Sequence, residues 1–170
     1  MGLFTRELKS LEDLFMHGLK DIYYAEKKIL TALPKLAKAA KSSELRQAFE
    51  AHFEETRNHI QRLEQVAESV GGSIKRKKCQ GMEGLIEEGE EMLEEKEDSA
   101  ALDAALILAA QKVEHYEIAA YGGLRAWAEQ MAHSGAIDLL QETLEEERSA
   151  DQKLNQIAES SANLEAEIQE

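Results

Sequence analysis

Four carboxylates stand where the helices of this chain should present apolar side chains. Leu102, Leu106, Ala109, Val113, Glu117, Ala120, Leu124, Trp127 and Met131 follow one another in steps of three and four, the spacing of a single helical face, and only Glu117 is polar. Glu26 interrupts Leu19, Ile22, Ile29, Leu33, Leu36 and Ala40 in the same way. Glu147 and Asp151 interrupt Leu140, Leu144, Leu154 and Ala158. An ionised carboxylate in a packed core is costly unless it is paired or bound to a cation. The chemistry that suits such a set is metal binding. Carboxylates and imidazoles three or four residues apart on facing helices can aim at one point between them, as a dinuclear centre requires.

Further candidates lie close by. Between Leu45 and Val70 the second helical stretch carries His52, Glu55 and His59, and Glu114 precedes Glu117 by one turn. Near Glu147 two criteria diverge: an internal repeat selects Glu146, whereas the apolar stripe selects Glu147 and Asp151. The candidate ligands are Glu26, Glu55, His59, Glu114, Glu117, Glu146, Glu147 and Asp151. His52 taken alone reads better as a core or surface histidine. Hard oxygen donors with one or two imidazoles suit two iron or manganese ions better than structural zinc. The competing account is a buried network of carboxylates with Lys, Arg or a protonated acid, but few basic residues share these stripes. Tyr23, Tyr24, Tyr116 and Tyr121 read as core or supporting residues. Tyr121 lies four residues after Glu117, within reach of a ligand.

The elements that must position these groups are helices. Ala, Glu, Leu, Lys and Gln dominate, aromatics are 5% and there is one proline, so the class is all-α. With 170 residues, 43% of them hydrophobic, the chain suffices for a single domain over 1–170. The first helix starts near Thr5 or Ser10, where Ser10 and Asp13 resemble a capping box, and runs to about Ala40, with Pro34 expected to kink or divide it. Ser43 is the expected N-cap of a second helix over about Glu44–Val70, ended by Gly71-Gly72. A long crossover to about Ser99 should contain a short helix near Met82–Leu93. The basic run Lys75–Lys78 within it reads as solvated linker rather than an anion site. A third helix spans about Ala100–His133, with Gly122-Gly123 expected to let a neighbouring helix approach. After a turn at Ser134-Gly135 a fourth runs from about Ala136 to Ser160, and Asn163–Gln169 continues it or forms a short tail helix.

The segment Gln61–Ser69 recurs as Gln152–Ser160, and the same offset carries Glu26 onto Glu117 and Glu55 onto Glu146. One helical hairpin has been duplicated. Two hairpins joined by one long crossover describe a ferritin-like four-helix bundle with short extra helices. With turns near residues 42 and 134, Glu26 lies level with His59 and Glu117 with Asp151, so all four helices can supply ligands at one depth.

The net charge of −14, from 34 acidic and 20 basic residues, argues against nucleic acid and anionic membranes as partners. No apolar run is long enough to span a bilayer, the N-terminus has no apolar leader, and Cys79 is the only cysteine, which together predict a cytoplasmic protein. Phe4, Leu8, Leu11 and Phe15 extend an apolar face past the level of the turn, from which a homodimer is expected.

The segments Leu19–Glu26, His52–Thr56, Lys112–Tyr121 and Leu144–Glu147 with Asp151, together with Cys79-Gln80-Gly81-Met82 in the crossover, resemble the YciE/YciF-like family over nearly the whole chain. The resemblance implies a ferritin-like fold, a link to bacterial stress responses and a dimetal centre. The chain departs from the usual ferritin-like Glu-x-x-His spacing: three residues after Glu55 stands Asn58, with His59 one further, and the fourth helix has no histidine there. The leading reading is a di-iron or di-manganese carboxylate protein with oxygen- or peroxide-linked redox chemistry. Its alternative is a non-catalytic structural stress bundle with a buried carboxylate network. Iron storage in a ferritin-type shell has only fold analogy behind it.

Overall fold

The computed structural model describes residues 8–75, 77–95 and 101–168. The described chain runs α1 (Leu11–Ala39), α2 (Ser43–Ser69), α3 (Gln80–Glu95), α4 (Leu102–Gln130), α5 (Ser134–Ile157), a π-helical turn (Ala158–Ala162) and α6 (Asn163–Ile168). Short connections fold α1 onto α2 and α4 onto α5, and the hairpins close on each other through α2 with α5 and α1 with α4. This is the four-helix bundle of two hairpins and one crossover that the repeat predicts. Among the described residues no helix is long and apolar enough to cross a membrane.

Local chemistry sets the helix ends. Ser10 Oγ accepts from the Asp13 N–H at 3.1 Å, while the Asp13 carboxylate takes the Ser10 hydroxyl at 2.9 Å and the Lys9 N–H at 3.2 Å. The capping box is present, with its return bond one residue outside the cap. Ser42, not Ser43, caps α2. Its backbone is extended and its Oγ accepts from the N–H groups of Glu44 and Leu45, so Ser43 is already in the first turn. Gly71 closes α2 with a φ of 75°, a conformation that suits glycine.

Two expectations about helix interiors, division of α1 at Pro34 and close approach at Gly122-Gly123, are not met. Pro34 neither ends nor divides α1, which runs unbroken to Ala39. The ring is exposed and withholds one donor from the carbonyl a turn earlier, and packing on both sides of it holds the helix. Gly122 and Gly123 admit no close neighbour: a methyl group at either would meet nothing within 4 Å.

The core fills with Phe15, Leu19, Ile22, Leu45, Leu63, Leu106, Leu124, Leu140 and Ile157 from both hairpins. Phe15 is fully buried and tilts against the His133 ring at 5.7 Å, so it is not left over for a partner chain. Phe4 lies outside the described residues. The crossover helix α3 covers α1 and α4 and is stapled by Glu83, which accepts from Tyr24 Oη at 2.5 Å, Lys28 Nζ at 2.6 Å and Lys78 Nζ at 3.1 Å. These donors hold the Glu83 carboxyl down to about 2. Lys78 is thus engaged with a carboxylate, and Lys77 lies against His17 and Asp21.

The turn between α1 and α2 is tied across the bundle by a residue with no counterpart in the sequence-based reading. Asp103, buried in the first turn of α4, accepts from the Lys41 N–H at 2.8 Å and the Ser42 N–H at 2.7 Å. Asp103→Ala orphans two backbone donors at once. It should cost about 2–3 kcal/mol, read from the shift in denaturant midpoint at unchanged slope.

Candidate metal centre

Four helices deliver polar side chains to one level of the core: Glu26 from α1, His52 and His59 from α2, Glu114 and Glu117 from α4, and Glu147 from α5. All six are buried. His59 Nδ1 lies 2.9 Å from Glu147 Oε1 and 3.4 Å from Glu26 Oε1. His52 Nε2 lies 3.3 Å from Glu114 Oε1 and 3.7 Å from Glu147 Oε2. The donor atoms of His52, Glu114, Glu117 and Glu147 all fall within 4.8 Å of one another, as do those of Glu26, His59 and Glu147. The two groups share Glu147.

Each imidazole turns one nitrogen inward and has the other held by a carboxylate. His52 Nδ1 meets Glu55 at 3.2 Å, and His59 Nε2 meets Glu146 at 2.8 Å. Arg62 in turn pairs with Glu146 at 2.5 Å and Glu142 at 2.6 Å. A carboxylate on the outer nitrogen fixes the ring and leaves the inner nitrogen free to act as a donor atom. The Tyr121 hydroxyl donates to Glu26 Oε1.

The inward atoms do not satisfy one another. Glu26 Oε2, His52 Nε2, His59 Nδ1, Glu114 Oε2 and both oxygens of Glu117 and Glu147 are buried without a hydrogen-bond partner among the described residues. Short spacing without hydrogen-bond alignment is what a shared cation produces. Bonds of about 2.1 Å place neighbouring donors of one ion roughly 3 Å apart. Oxygen-rich donors with two imidazoles fit iron or manganese.

Electrostatics point the same way. Burial raises the Glu117 carboxyl well above its ordinary value, and the Glu147, Glu26 and Glu114 carboxylates raise it further. Burial likewise raises Glu114, opposed by His52 and reinforced by Glu147. For His59 burial works against the charged ring, but the Glu147 and Glu26 carboxylates close beside it outweigh this and lift the group to about 11. Without a cation the site must therefore hold protons.

Of the residues singled out in the sequence, the structure brings together Glu26, His59, Glu114, Glu117 and Glu147. Glu55 and Glu146 stand behind the two histidines. Asp151 lies apart, 23% exposed, with its carboxylate 3.2 Å from Gln111 and 3.3 Å from His115. The second turn is centred on Ala132 rather than residue 134. Glu117 and Glu147 are equidistant from Ala132, so depth pairs Glu117 with Glu147 instead of Asp151. His52 joins the cluster against expectation. The available signal was its position two turns before His59 on the same face. Thr56, fully buried between them with an unpartnered hydroxyl, was not singled out at all.

The family model described as "Domain of unknown function (DUF892)" matches residues 10–167. The chain belongs to this family. It is 53% identical to Protein YciF of Escherichia coli (strain K12) over 161 residues, covering 94% of this chain and 97% of that one. The crystal structure of the E. coli stress protein YciF superposes with a TM-score of 0.88, covering 92% of this chain and 99% of that chain. The structure of YcfI from Rhodopseudomonas palustris superposes at 0.86 with 45% identity, over 90% and 98% of the two chains. A protein from Xanthomonas campestris at 21% identity and a TM-score of 0.72 shares the fold. The YciF-like resemblance read from the motifs is thus shown.

A pH dependence follows for metal-free protein. Glu114 and Glu117, raised from 4.5, and His59, raised from 6.5 to about 11, bind protons more tightly folded than unfolded. Their contribution is fully present below the unfolded values and is lost as pH climbs through the folded ones. Melting temperature in chelator should therefore fall as pH rises from about 5 towards about 11, above the range in which Glu83 and Glu146, both held low, come into play. A melting temperature that rises over this interval would contradict the assignment.

Proposed function

We propose that this chain is a dimetal carboxylate protein of the bacterial stress type, holding two iron or manganese ions between its four helices. The observation that carries the reading is the convergence of unpartnered buried donors from Glu26, His52, His59, Glu114, Glu117 and Glu147. One ion would take His52, Glu114 and Glu117, the other Glu26 and His59, with Glu147 common to both. Bound there, redox-active ions supply one-electron chemistry toward dioxygen or peroxide. The chain's own residues prepare the place. Glu55 and Glu146 orient the imidazoles, Arg62 fixes Glu146, and Tyr121 steadies Glu26 and keeps a hydroxyl proton at its Oε1. Aliphatic residues of the core pack around them. In this reading the protein works in the cytoplasm, where Cys79, hydrogen-bonded to Tyr116 at 2.9 Å, stays a thiol.

Glu117→Leu separates this reading from a structural bundle with a carboxylate network. With chelator, replacing an uncompensated buried acid should be neutral or stabilising by about 1–3 kcal/mol, whereas breaking a satisfied network costs about 3–5 kcal/mol. With iron or manganese, the wild type should gain melting temperature and the variant little. Elemental analysis of chelator-free protein should find two ions per chain. A strongly destabilised variant beside a wild type indifferent to metal would sink the proposal.

We also propose a homodimer. Leu8, 44% exposed, remains available at the start of α1 where Phe15 does not, and Leu164 and Ile168 on α6 are exposed too. Light scattering at tens of micromolar should give twice the chain mass; a monomer there would refute it.

A further inference from the structure

Two hollows of opposite character reach the cluster. Between α2 and α5 a cleft of about 430 Å³ is edged by Glu44, Gln47, Glu55, Ser149 and Lys153 and ends on His52 and Glu114. Its walls suit water and cations. Between α1, α3 and α4 lies a narrower pocket, open to solvent at its rim and with room for about 40 Å³, walled by aliphatic residues including Ile29, Leu33, Leu85, Ile86, Ala110 and Val113. Only its rim, where Lys35 pairs with Glu90 at 2.7 Å, and its inner end, at His52 and Glu114, carry charge.

The lining decides what such a space holds. A stable buried water needs two to four polar partners, and an apolar cavity stays dry while accepting apolar guests. Peroxide, which donates and accepts hydrogen bonds as water does, pays the same desolvation cost on entry. A diatomic apolar molecule pays almost none. The inner end is formed by two side chains at 5% and 3% exposure whose Nε2 and Oε2 atoms are unpartnered. An apolar guest in the cavity therefore sits beside donor atoms of the proposed centre.

We propose that this pocket seats dioxygen and leads it to the metal pair, by an apolar route separate from the polar cleft that is open to water and peroxide. This rests on the metal-centre reading above. Two ferrous ions, were they held by Glu26, His52, His59, Glu114, Glu117 and Glu147, would supply one electron each, and solvent two protons, for the reduction of dioxygen to hydrogen peroxide. The α3 crossover helix, which carries Leu85 and Ile86, thereby acquires a role in admitting dioxygen.

Xenon, an apolar probe indifferent to metal, tests the seat directly. Crystals of metal-free wild type under xenon pressure should show an atom in this cavity, and Gly89→Leu should abolish it. Gly89 lines the space, and a Cβ there meets only the Ala109 methyl at 3.8 Å, so the longer side chain enters the void while favouring helix. Ala110→Leu, deeper in the cavity, is the second variant. In both, iron stoichiometry should match wild type, oxidation of the ferrous protein by dissolved dioxygen should slow about tenfold, as when a gate ahead of the chemistry closes, and oxidation by added peroxide should keep its rate. Iron held without xenon in the wild type, or equal slowing with both oxidants, would overturn this inference alone. Xenon bound by a protein that never holds iron would instead overturn the metal reading and the dioxygen role with it.

Discussion

Everything in this bundle accommodates the buried charge at its centre. Glu26, Glu114, Glu117 and Glu147 lie between helices whose other inward residues are aliphatic, and two imidazoles are too few to neutralise them at neutral pH. In low dielectric such carboxylates are tolerated as protonated acids or around a cation. The protein supplies support just outside the cluster rather than within it. Glu55, Glu146 and Arg62 fix the rings from the surface side, and Tyr121 holds one carboxylate from within.

The crossover is the other organised part. A connection between two hairpins needs only to span the distance, yet this one forms a helix and is anchored by three donors converging on Glu83. Because these contacts fall on α1 and on the segment entering α3, the helix is fixed over the flank of the bundle where His52 and Glu114 come nearest to the aliphatic cavity. Glu83 is partly exposed, so its ion pairs define position more than they add stability.

Much of the arrangement was legible in the sequence because an acid on an apolar stripe is conspicuous. Glu26, Glu117 and Glu147 were found that way, and the duplicated hairpin gave the topology. The errors have physical causes. Asp151 was paired with Glu117 because the second turn was placed two residues late, and depth arguments magnify small shifts in a turn. His52 was judged singly, although its partner two turns along the same face was in view. Pro34 and the Gly122-Gly123 pair were read by propensity, which tertiary packing overrode. Asp103 could not be found, since its task is to accept from backbone donors on a turn far away in sequence.

The duplication did not leave two equal halves. The offset that superposes Glu26 on Glu117 puts Thr56 opposite Glu147, His52 opposite Thr143 and His59 opposite Ala150. The first hairpin thus carries both inward imidazoles, and the second carries Glu114, Glu117 and Glu147. Two copies of the second hairpin, brought together by the packing surface they share with the first, would bury carboxylates with no imidazole among them. Like-charge contact of that kind is a strong discriminator between similar partners. Divergence at a few core positions therefore made a first hairpin, rather than another copy of itself, the fitting partner of the second.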